Sequence, residues 1–482
     1  MSNEFFSESP IDGEILWRGE STSPLEVQER MSRAHKACMA WRGTSVVERM
    51  EIVRRYGEEL KQSRDAIASL ISREVGKLSW DAAGEVSASI AKVELSIESL
   101  QQRRSKLTLD TDPEKAGAAI RHIRYQPLGV ALVLGPFNFP LHLPGGQIIP
   151  ALLAGNAVVF KPSEQATAVG EWMVAAWKRA GLPDDVLQII PGGITTATAA
   201  IDAAEVSAVF LTGGRTAGQA IHRQLAGRPE VLLALELGGN NPIVVMDDVG
   251  PDAVGRLVSF SSFISSGQRC TCARRALFVE GKQTEQQIAS LIEQTRSLRV
   301  AMPDATPAPQ IGPVISTHAA KTLDATYQQL ITLGCQPLIP FHSDTEHPQL
   351  VRPAIVDASG VDQAAFSRIG SQEWFGPILV IARVSGFDAA VSAAANTPYG
   401  LSASLLGGSH GQFERFVHEV QAGVVNWNAP TTGAAGTLPF GGLGDSGNHR
   451  PAGFFAVDFC NDPVASIEYS EPIATNPWDV AK

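Results

Sequence analysis

The stretch AIRHIRYQPLGVALVLGP, residues 119–136, first alternates apolar with polar residues and then becomes continuously apolar. Alternation is typical of a strand with one covered face. A continuous apolar run that ends in Gly-Pro is typical of a strand buried on both faces. The stretch therefore predicts a strand or hairpin that leads into a buried strand.

Similar apolar runs follow at intervals, in AVVFKPS (157–163), VLQIIPG (186–192) and AVFLTGG (208–214). Helical segments separate them, such as ATAVGEWMVAAWKRAG at 166–181, which ends in a glycine stop. Strands that alternate with helices predict βαβ units in a mostly parallel sheet. Ligands are expected at the edge where the strands end.

The rest of the chain extends this pattern on both sides. Residues 24–104 repeat apolar residues every three or four positions, which predicts helices. A later series of apolar runs, including ALFVEG, GPILVIARV and GVVNWN, predicts a second α/β domain at about 238–441. The tail DPVASIEYSEP, 462–472, has strand character without a helix partner. The expected fold class is α/β.

The composition argues against several classes of protein. A chain of 482 residues is long enough for two or three domains, and its net charge of −11 argues against nucleic acid or an anionic membrane as a partner. The N-terminus lacks the features of a signal peptide, and the most apolar run, 148–160, is too short to span a bilayer. Five mostly scattered cysteines fit a reducing cytoplasm, where we expect the protein.

Two of the cysteines, Cys270 and Cys272, lie in the segment SSGQRCTCARR. A zinc site is not expected, because no second Cys or His cluster supplies the remaining ligands. A redox pair is not favoured, because such pairs usually have two residues between the cysteines and this pair has one. Both cysteines could also simply be packed in the interior. Arg269, Arg274 and Arg275 favour a reactive thiol, because positive charge stabilises a thiolate.

Six peptides resemble the aldehyde dehydrogenase superfamily, in the same order and over nearly the whole chain: GPFNFP (135–140), FKPSE (160–164), LTGGRTAG (211–218), LELGG (235–239), GQRC (267–270) and EWFGPIL (373–379). GQRCTCARR and SGNHRP (446–451) are further similar to the members that act on N-succinylglutamate 5-semialdehyde in arginine catabolism. The resemblance implies a Rossmann-like cofactor domain, a catalytic α/β domain and a small β oligomerisation element.

The resemblance assigns the chemistry to three residues. Cys270 matches the nucleophile, which attacks the aldehyde carbon and later carries the product as a thioester. The side chain of Asn138 and the backbone N–H of Cys270 match the oxyanion hole. Glu236 matches the general base that activates water, and a glutamate within an apolar strand already predicts a special environment. Cys272 is then interpreted as a packed neighbour.

The resemblance also implies NAD as the cofactor. A glycine-rich loop at a helix N-terminus would admit the pyrophosphate, and it consists of Gly213, Gly214, Arg215, Thr216, Ala217 and Gly218. Gly214 stands where many members have serine. Another segment, GGLGDSG at 441–447, contains G-x-G-x-x-G but lacks the flanking strand and helix of a dinucleotide site. We interpret it as a loop near the active site.

Four more residues match positions around the two riboses of the cofactor. Lys161 and Glu164 match residues at the adenosine ribose, where a carboxylate accepts the 2′-hydroxyl and repels a phosphate. This favours NAD over NADP. Glu373 matches the residue that holds the nicotinamide ribose, and Phe375 is expected to pack near the ring.

The implied substrate is a small anionic aldehyde, so the site should contain fixed cations. Arg450, Arg269 and His449 are the candidates. Three alternatives remain open: the dehydrogenase of another semialdehyde, such as that of succinate or glutamate; a coenzyme-A-dependent acyl transfer; and a non-catalytic binding or structural role.

The resemblance divides the chain into four parts: a cofactor domain (1–108 and 128–237), a catalytic domain (238–441), an active-site loop and connection (442–461) and an oligomerisation element (109–127 and 462–482). The oligomerisation element predicts a homodimer or a higher homo-oligomer. No metal is expected.

Overall fold

The structure is a computed structural model that describes residues 4–109, 120–469 and 472. Parts of the predicted oligomerisation element, residues 110–119, 470–471 and 473–482, lie outside the described residues. The described chain begins with an antiparallel hairpin of β1 (Glu4–Glu8) and β2 (Ile15–Glu20).

A helical segment follows and confirms the prediction for 24–104: α1 (Pro24–Trp41), α2 (Val46–Gln62), α3 (Arg64–Val75) and α4 (Ser79–Arg103). The buried residues of α1 recur every three or four positions and cover one face of the helix: Val27, Met31, Ala34, Cys38 and Trp41. A capping box fixes where α1 begins. The Ser23 hydroxyl accepts from the N–H of Glu26, whose carboxylate accepts from the N–H of Ser23.

After β3 (Leu107–Leu109), the stretch 119–136 supplies β4 (Ile120–Pro127) and β5 (Val130–Leu134). β5 is the central strand of the first large sheet. The chain continues through α5 (His142–Ala154), β6 (Ala157–Lys161), α6 (Thr167–Arg179), β7 (Leu187–Ile189), α7 (Ile194–Asp202), β8 (Val206–Thr212), α8 (Arg215–Gln224) and β9 (Leu232–Glu236). The strands are parallel in the order β7-β6-β5-β8-β9.

Both faces of β5 are covered, which explains why its sequence is continuously apolar. Val130, Leu132 and Leu134 belong to one apolar cluster with α1 and α7, whereas Ala131 and Val133 belong to another with α2, α5 and α6. Among the described residues, no helix is long and apolar enough to cross a membrane.

The strand order creates a topological switch at the carboxyl edge of this sheet. From β5 the chain moves outward to β6 and β7, and it then returns to the other side of β5 for β8 and β9. Crevices at such switch points bind ligands. Asn138 and Gly213 follow β5 and β8, and Lys161 and Glu236 end β6 and β9.

The chain passes from β9 directly into the second large sheet. Its segment contains β10 (Asn241–Val245), α9 (Pro251–Phe263), β11 (Ala273–Val279), α10 (Thr284–Ser297), α11 (Thr317–Thr332), β12 (Gln336–Ile339), β13 (His342–Ser343), β14 (Val351–Arg352), β15 (Ala354–Asp357), α12 (Gln363–Gly370), β16 (Ile378–Val384), α13 (Phe387–Ala395), β17 (Tyr399–Gly400), β18 (Ser402–Leu406), α14 (His410–Glu419) and β19 (Val424–Trp427). The sheet order is β12-β15-β16-β11-β10-β18-β19. Among the described strand pairs within this sheet, only β12–β15 is antiparallel.

The last part of the chain returns to the earlier parts. β20 (Pro439–Phe440) pairs with β22 (Ala452–Gly453), and β21 (Leu443–Gly444) pairs with β17. β23 (Asn461–Glu468) pairs with β4, which also pairs with β3, in a small antiparallel sheet. This sheet begins at Leu107, two residues before the predicted boundary at 109. Two mostly parallel sheets with helices confirm the predicted α/β class.

Candidate active site

The candidate active site lies where the two large sheets meet. The short connection 237–240 joins β9 to β10, so the carboxyl edge of the first sheet faces the amino edge of the second. Cys270 lies before β11, and Glu373 and Phe375 lie before β16. Candidate residues therefore follow the strands of the first sheet, as predicted. In the second sheet they precede the strands, at an edge for which the sequence supports no expectation.

We call residues 264–270 the thiol loop, because Cys270 ends it. Ser265, Ser266 and Gly267 have φ angles of 54°, 57° and 71°. Positive φ is unfavourable for residues with a side chain, so surrounding contacts must hold this shape. One of them is the Ser266 hydroxyl, which donates to the Gly312 carbonyl over 2.8 Å.

Asn138 is buried beyond the end of β5, beside the thiol loop. Its side-chain N–H donates to the carbonyl of Gln268 over 3.0 Å. An amide side chain carries two N–H donors, and this bond uses one of them. Asn138 is thus held beside the residue two positions before Cys270, and one of its two N–H donors is not used by this bond.

Glu236 ends β9 and is only 6% exposed. Its Oε1 accepts from the N–H of Ala452 over 3.3 Å, and its Oε2 has no hydrogen-bond partner among the described residues. Burial raises the pKa of Glu236 well above its usual value, because the charged form is poorly solvated there. A carboxyl with a free oxygen and a raised pKa is suited to accept a proton.

The half-buried thiol of Cys270 stands among these carboxyl groups. Burial, together with the carboxylates of Glu373 and Glu236, raises the pKa of Cys270 to about 12. The charge of Arg274 lowers this pKa but does not offset the increase. The thiol is therefore protonated at neutral pH in this arrangement.

Of the three neighbouring arginines expected to stabilise a thiolate, Arg274 does lower the pKa of Cys270, but the other two are engaged elsewhere. Arg269 forms an ion pair with Asp81 over 2.7 Å. Arg275 is fully buried and donates to the side chain of Asn240 and the carbonyl of Ala393, each over 2.6 Å.

Cys272 is fully buried, and its thiol donates to the carbonyl of Ile264 over 3.6 Å. Asn241, the first residue of β10, donates to the carbonyls of Cys270 and Cys272 over 2.7 and 2.8 Å. These contacts confirm the interpretation of Cys272 as a packed neighbour.

The turn between β8 and α8 has the features of an anion site. Gly214 caps α8 without a side-chain hydrogen bond, so no cap side chain occupies the N–H groups of the first turn, which contains Arg215, Thr216 and Ala217. A Cβ at Gly214 would meet no atom within 4 Å, so the space beside it is open. A helix N-terminus of this kind attracts a phosphate group.

Other residues of this turn have structural contacts. The N–H of Gly213 donates to the carbonyl of Glu236 over 3.0 Å. Gly218 is packed so closely that a Cβ would lie 2.7 Å from the nearest side chain. The side chain of Arg215 forms an ion pair with Asp445 over 2.5 Å, so it binds a neighbouring loop.

Lys161 ends β6 and is buried, so it is not an ordinary surface lysine. Its ammonium donates to the carbonyl of Pro162 over 3.0 Å and lies 3.5 Å from the carboxylate of Glu164. Burial lowers the pKa of Lys161, and Glu164 opposes that effect. The pair stands at the same carboxyl edge as the α8 turn.

The loop before β16 approaches the connection between the sheets. Glu373 accepts from the N–H of Gly239 over 3.1 Å and lies so close to Gly238 that a Cβ there would collide with its carboxylate. Burial raises the pKa of Glu373. Phe375 meets Phe137 edge-on, with ring centroids 5.8 Å apart. This loop therefore contacts the segments that follow β5 and β9, the two strands at whose ends candidate catalytic residues lie.

We call residues 446–448 the strap, because they cover the open edge of β9. The side chain of Asn448 accepts from the N–H of Leu235 over 2.9 Å and donates to the carbonyl of Leu233 over 2.8 Å. β9 is an outer strand of its sheet, and these bonds satisfy groups that would otherwise lack partners. In the sequence, only the glycine-rich segment 441–447 indicated that this region lies near the active site. The structure places it beside Glu236.

The predicted substrate cations occupy different environments. Arg450 and His449 are exposed, and Arg269 is partly buried in its ion pair. Lys92 on α4 gave no signal in the sequence, yet it is buried and donates to the carbonyl of Gly453 over 2.6 Å. It has no carboxylate partner among the described residues, and burial lowers its pKa to about 8.

Residues 1–463 match the aldehyde dehydrogenase family. The chain is 42% identical over 472 residues to the N-succinylglutamate 5-semialdehyde dehydrogenase of Novosphingobium aromaticivorans, with 98% of each chain covered. It is 41% identical over 467 residues to that of Burkholderia lata, with 97% of this chain and 94% of the relative covered.

The fold is similar to the crystal structure of the NADP-dependent glyceraldehyde-3-phosphate dehydrogenase from Bacillus halodurans complexed with NADP. The TM-score is 0.88 at 27% identity, with 97% of this chain and 96% of that chain covered. These comparisons confirm the resemblance carried by the six peptides. The chain belongs to the aldehyde dehydrogenase family, and it is an oxidoreductase that uses a nicotinamide dinucleotide.

Proposed function

We propose that this aldehyde dehydrogenase oxidises N-succinyl-L-glutamate 5-semialdehyde to N-succinyl-L-glutamate in arginine catabolism, with NAD as the acceptor. The observation that carries the proposal is the convergence of Cys270, Asn138, Glu236 and Glu373 between the two sheets. The relatives that carry the name of this activity cover nearly the whole chain at 41–42% identity.

Cys270 is the nucleophile in this proposal. Its sulfur forms a bond to the aldehyde carbon, and the carbonyl electrons move to the oxygen. The free N–H of Asn138 and the backbone N–H of Cys270 would stabilise that oxyanion. Because the pKa of the resting thiol is about 12, the thiol must lose its proton during attack. Glu236 has the free oxygen and the raised pKa that suit it to accept this proton.

A nicotinamide bound in this crevice would accept the hydrogen that leaves the aldehyde carbon with its electron pair. The residues present fit a dinucleotide, since the turn at Gly214 is open, no side chain caps α8, and Lys161 stands at the same edge. The carboxylate of Glu164 supports NAD over NADP, because it would bind a ribose hydroxyl and repel a phosphate.

Glu236 would act a second time, after it has passed the first proton to solvent and the product is held as a thioester on Cys270. It would take a proton from water, whose oxygen attacks the thioester carbonyl and releases the acid and the thiol. A coenzyme-A-dependent acyl transfer would not need this buried, half-satisfied carboxyl. Glu236 therefore supports hydrolysis over that alternative.

Local positive charge supports an anionic substrate, although the whole chain has a net charge of −11. Lys92 bonds to Gly453, next to the residue whose N–H holds Glu236. Arg450 lies nearby in the same segment and is exposed. The N-succinylated semialdehyde carries two carboxylates and that of succinate or glutamate carries one, so paired cations favour the N-succinylated compound.

We further propose that a second copy of the chain covers the β23-β4-β3 sheet. Residues directly opposite each other in antiparallel strands share a face, and the register places Leu107, Leu109, Ile123 and Ile467 on one face, together with Arg121. Leu107, Leu109 and Ile467 are 49%, 43% and 65% exposed. A clustered apolar face of this kind is typical of a subunit interface.

The proposal is tested by kcat/KM for a panel of aldehydes, each measured with NAD and with NADP. We expect the N-succinylated semialdehyde to exceed the glutamate and succinate semialdehydes by at least about tenfold, which corresponds to ~1.4 kcal/mol. A higher value for a simple aliphatic aldehyde would contradict the substrate, and a preference for NADP would contradict the cofactor. Full turnover by a Cys270→Ala variant would contradict the mechanism.

A further inference from the structure

Arg274, the second residue of β11, binds two separate loops of the site. Its Nη2 donates to the carbonyls of Gly267 and Arg269 in the thiol loop, over 2.7 and 3.1 Å. Its Nη1 donates to the carbonyl of Gly376, over 3.0 Å. Gly376 belongs to the loop that carries Glu373, so a single guanidinium connects the nucleophile loop to the candidate cofactor loop.

The connection is made where the thiol loop is under strain. Ser265 and Ser266 occupy the left-handed region, which is costly for residues with a side chain. Gly267 lies so close to Gly376 that a Cβ there would collide with the backbone of Gly376. Hydrogen bonds to the loop carbonyls are therefore needed to keep the loop in this conformation and in contact with its neighbour.

The charge of Arg274 has no carboxylate partner in an ion pair among the described residues. Its side chain is nevertheless fully buried, and burial of a charge without an opposite charge is costly. Through space, the guanidinium favours the charged forms of two groups of the site, since Arg274 lowers the pKa of both Cys270 and Glu373. The guanidinium also lies 5.8 Å from the centre of the Phe375 ring.

We propose that Arg274 is a positioning residue for the reaction, which clamps the thiol loop to the 373–376 loop and places a fixed positive charge beside Cys270. This inference rests on the proposed role of Cys270 as nucleophile. Arg274 touches no reacting atom, so it acts through the geometry and the ionisation of the thiol.

Arg275, the next residue along β11, provides a matched control. It is equally buried and also lacks a carboxylate partner among the described residues. Its hydrogen bonds go to Asn240 and to the carbonyls of Ala393 and Ala394, and none goes to the thiol loop. Loss of Arg275 removes a buried cation of the same kind without releasing the nucleophile.

The test measures the rate at which iodoacetamide alkylates Cys270 in the full-length protein as a function of pH, with the site identified by peptide mass spectrometry. Arg274→Met should slow alkylation at pH 8 by about tenfold or more, because loss of a nearby cation raises the thiol pKa by about one unit or more. Arg274→Lys keeps the charge and should stay within about threefold of the wild type, and Arg275→Met should keep the wild-type pH profile.

The value of kcat distinguishes the hydrogen bonds of Arg274 to the two loops from the effect of its charge. Arg274→Lys should lose about tenfold or more in kcat with little change in KM, because an ammonium cannot replace the three-bond fork. Wild-type kcat in Arg274→Lys, wild-type alkylation in Arg274→Met, or equal slowing in Arg275→Met would overturn the inference.

Circular dichroism verifies folding. If either methionine variant does not fold, kcat of the Arg274→Lys and Arg275→Lys pair decides, because only Arg274→Lys should lose turnover. Alkylation does not require turnover, so the alkylation result is independent of the substrate panel and of the Cys270→Ala variant that test the proposed function.

Discussion

Single residues in this site perform their proposed chemistry in a buried environment that opposes charge. Glu236 keeps one carboxyl oxygen without a partner among the described residues, and Cys270 has a thiol whose pKa is raised to about 12. Both features are unfavourable for a folded protein but useful for proton transfer. Replacing such a residue by one that stays neutral should therefore stabilise the folded protein.

Glu236→Gln should raise the melting temperature at pH 8 and reduce steady-state turnover by at least about 10²-fold. One equivalent of NADH should still be released as a burst, but more slowly than in the wild type, because glutamine cannot accept the thiol proton. The pKa of Glu236 is higher in the folded than in the unfolded state. The contribution of the neutral carboxyl to folding stability is therefore fully present below the unfolded-state pKa, and it is lost as pH rises through the folded-state pKa. Glutamine stays neutral, so the gain in melting temperature should grow from pH 5 to pH 8.

Glu85 is the matched control for this variant. It is also buried, but it forms an ion pair with Lys77 over 2.6 Å and accepts from the N–H of Leu141 over 2.9 Å. Glu85→Gln should lower the melting temperature, because it leaves a buried ammonium without its partner. Equal effects of the two substitutions, or unchanged turnover in Glu236→Gln, would contradict the prediction.

At the level of elements, the strap and β9 form one unit that holds Glu236. β9 is the last strand of its sheet, and the strap supplies the hydrogen bonds that a further strand would make. The same segment contacts β17, which directly precedes β18 of the second sheet, because the Ser446 hydroxyl accepts from the N–H of Gly400 over 3.0 Å. The position of Glu236 thus depends on residues about 210 places later in the chain.

Asn448→Ala should lower stability by about 2 kcal/mol, because it leaves the N–H of Leu235 and the carbonyl of Leu233 without partners. We also expect steady-state turnover to fall and the NADH burst to become slower without losing its amplitude, since β9 carries the base that serves both steps while the thiol loop still carries the nucleophile. Urea denaturation and stopped-flow absorbance measure the two effects.

Gln224→Ala provides the comparison for this variant. Gln224 is partly buried, and its amide also makes two hydrogen bonds, both exposed to solvent, to the carbonyl of Thr198 and to the carboxylate of Asp202. Water can replace those bonds, so this variant should keep wild-type turnover and lose little stability. A loss of the NADH burst in Asn448→Ala would show that the strap does more than position Glu236.

At the level of the whole molecule, the small sheet presents apolar side chains that the described chain does not cover. Ile467→Glu should convert the proposed oligomer into monomers, because it places a charge in the proposed interface at the most exposed of these apolar positions. Light scattering coupled to size-exclusion chromatography measures the mass.

Val417→Glu is the control, since Val417 is an exposed apolar residue on α14, at 43% exposure. It should leave the mass unchanged. A wild-type protein that is already monomeric, or a loss of mass in both variants, would contradict the proposed interface.

Much of the fold follows from local sequence, because hydrophobic periodicity reports which side of a segment is buried. The apolar run of β5 and the three- and four-residue spacing of α1 predicted their elements correctly. The candidate residues Cys270, Asn138 and Glu236 could also be named, because each stands in a short peptide that resembles the aldehyde dehydrogenase family. Both kinds of signal lie within a few neighbouring residues.

By itself, then, the sequence determined the α/β class, the family and the candidate nucleophile. Only the tertiary structure decided which charges act on that nucleophile. Arg269 stands next to Cys270 in sequence but pairs with Asp81, 188 positions away, whereas Glu373 comes from a distant loop to raise the pKa of the thiol. The physical reason is that desolvation and Coulomb interactions depend on distances through space, and packing of distant segments sets those distances.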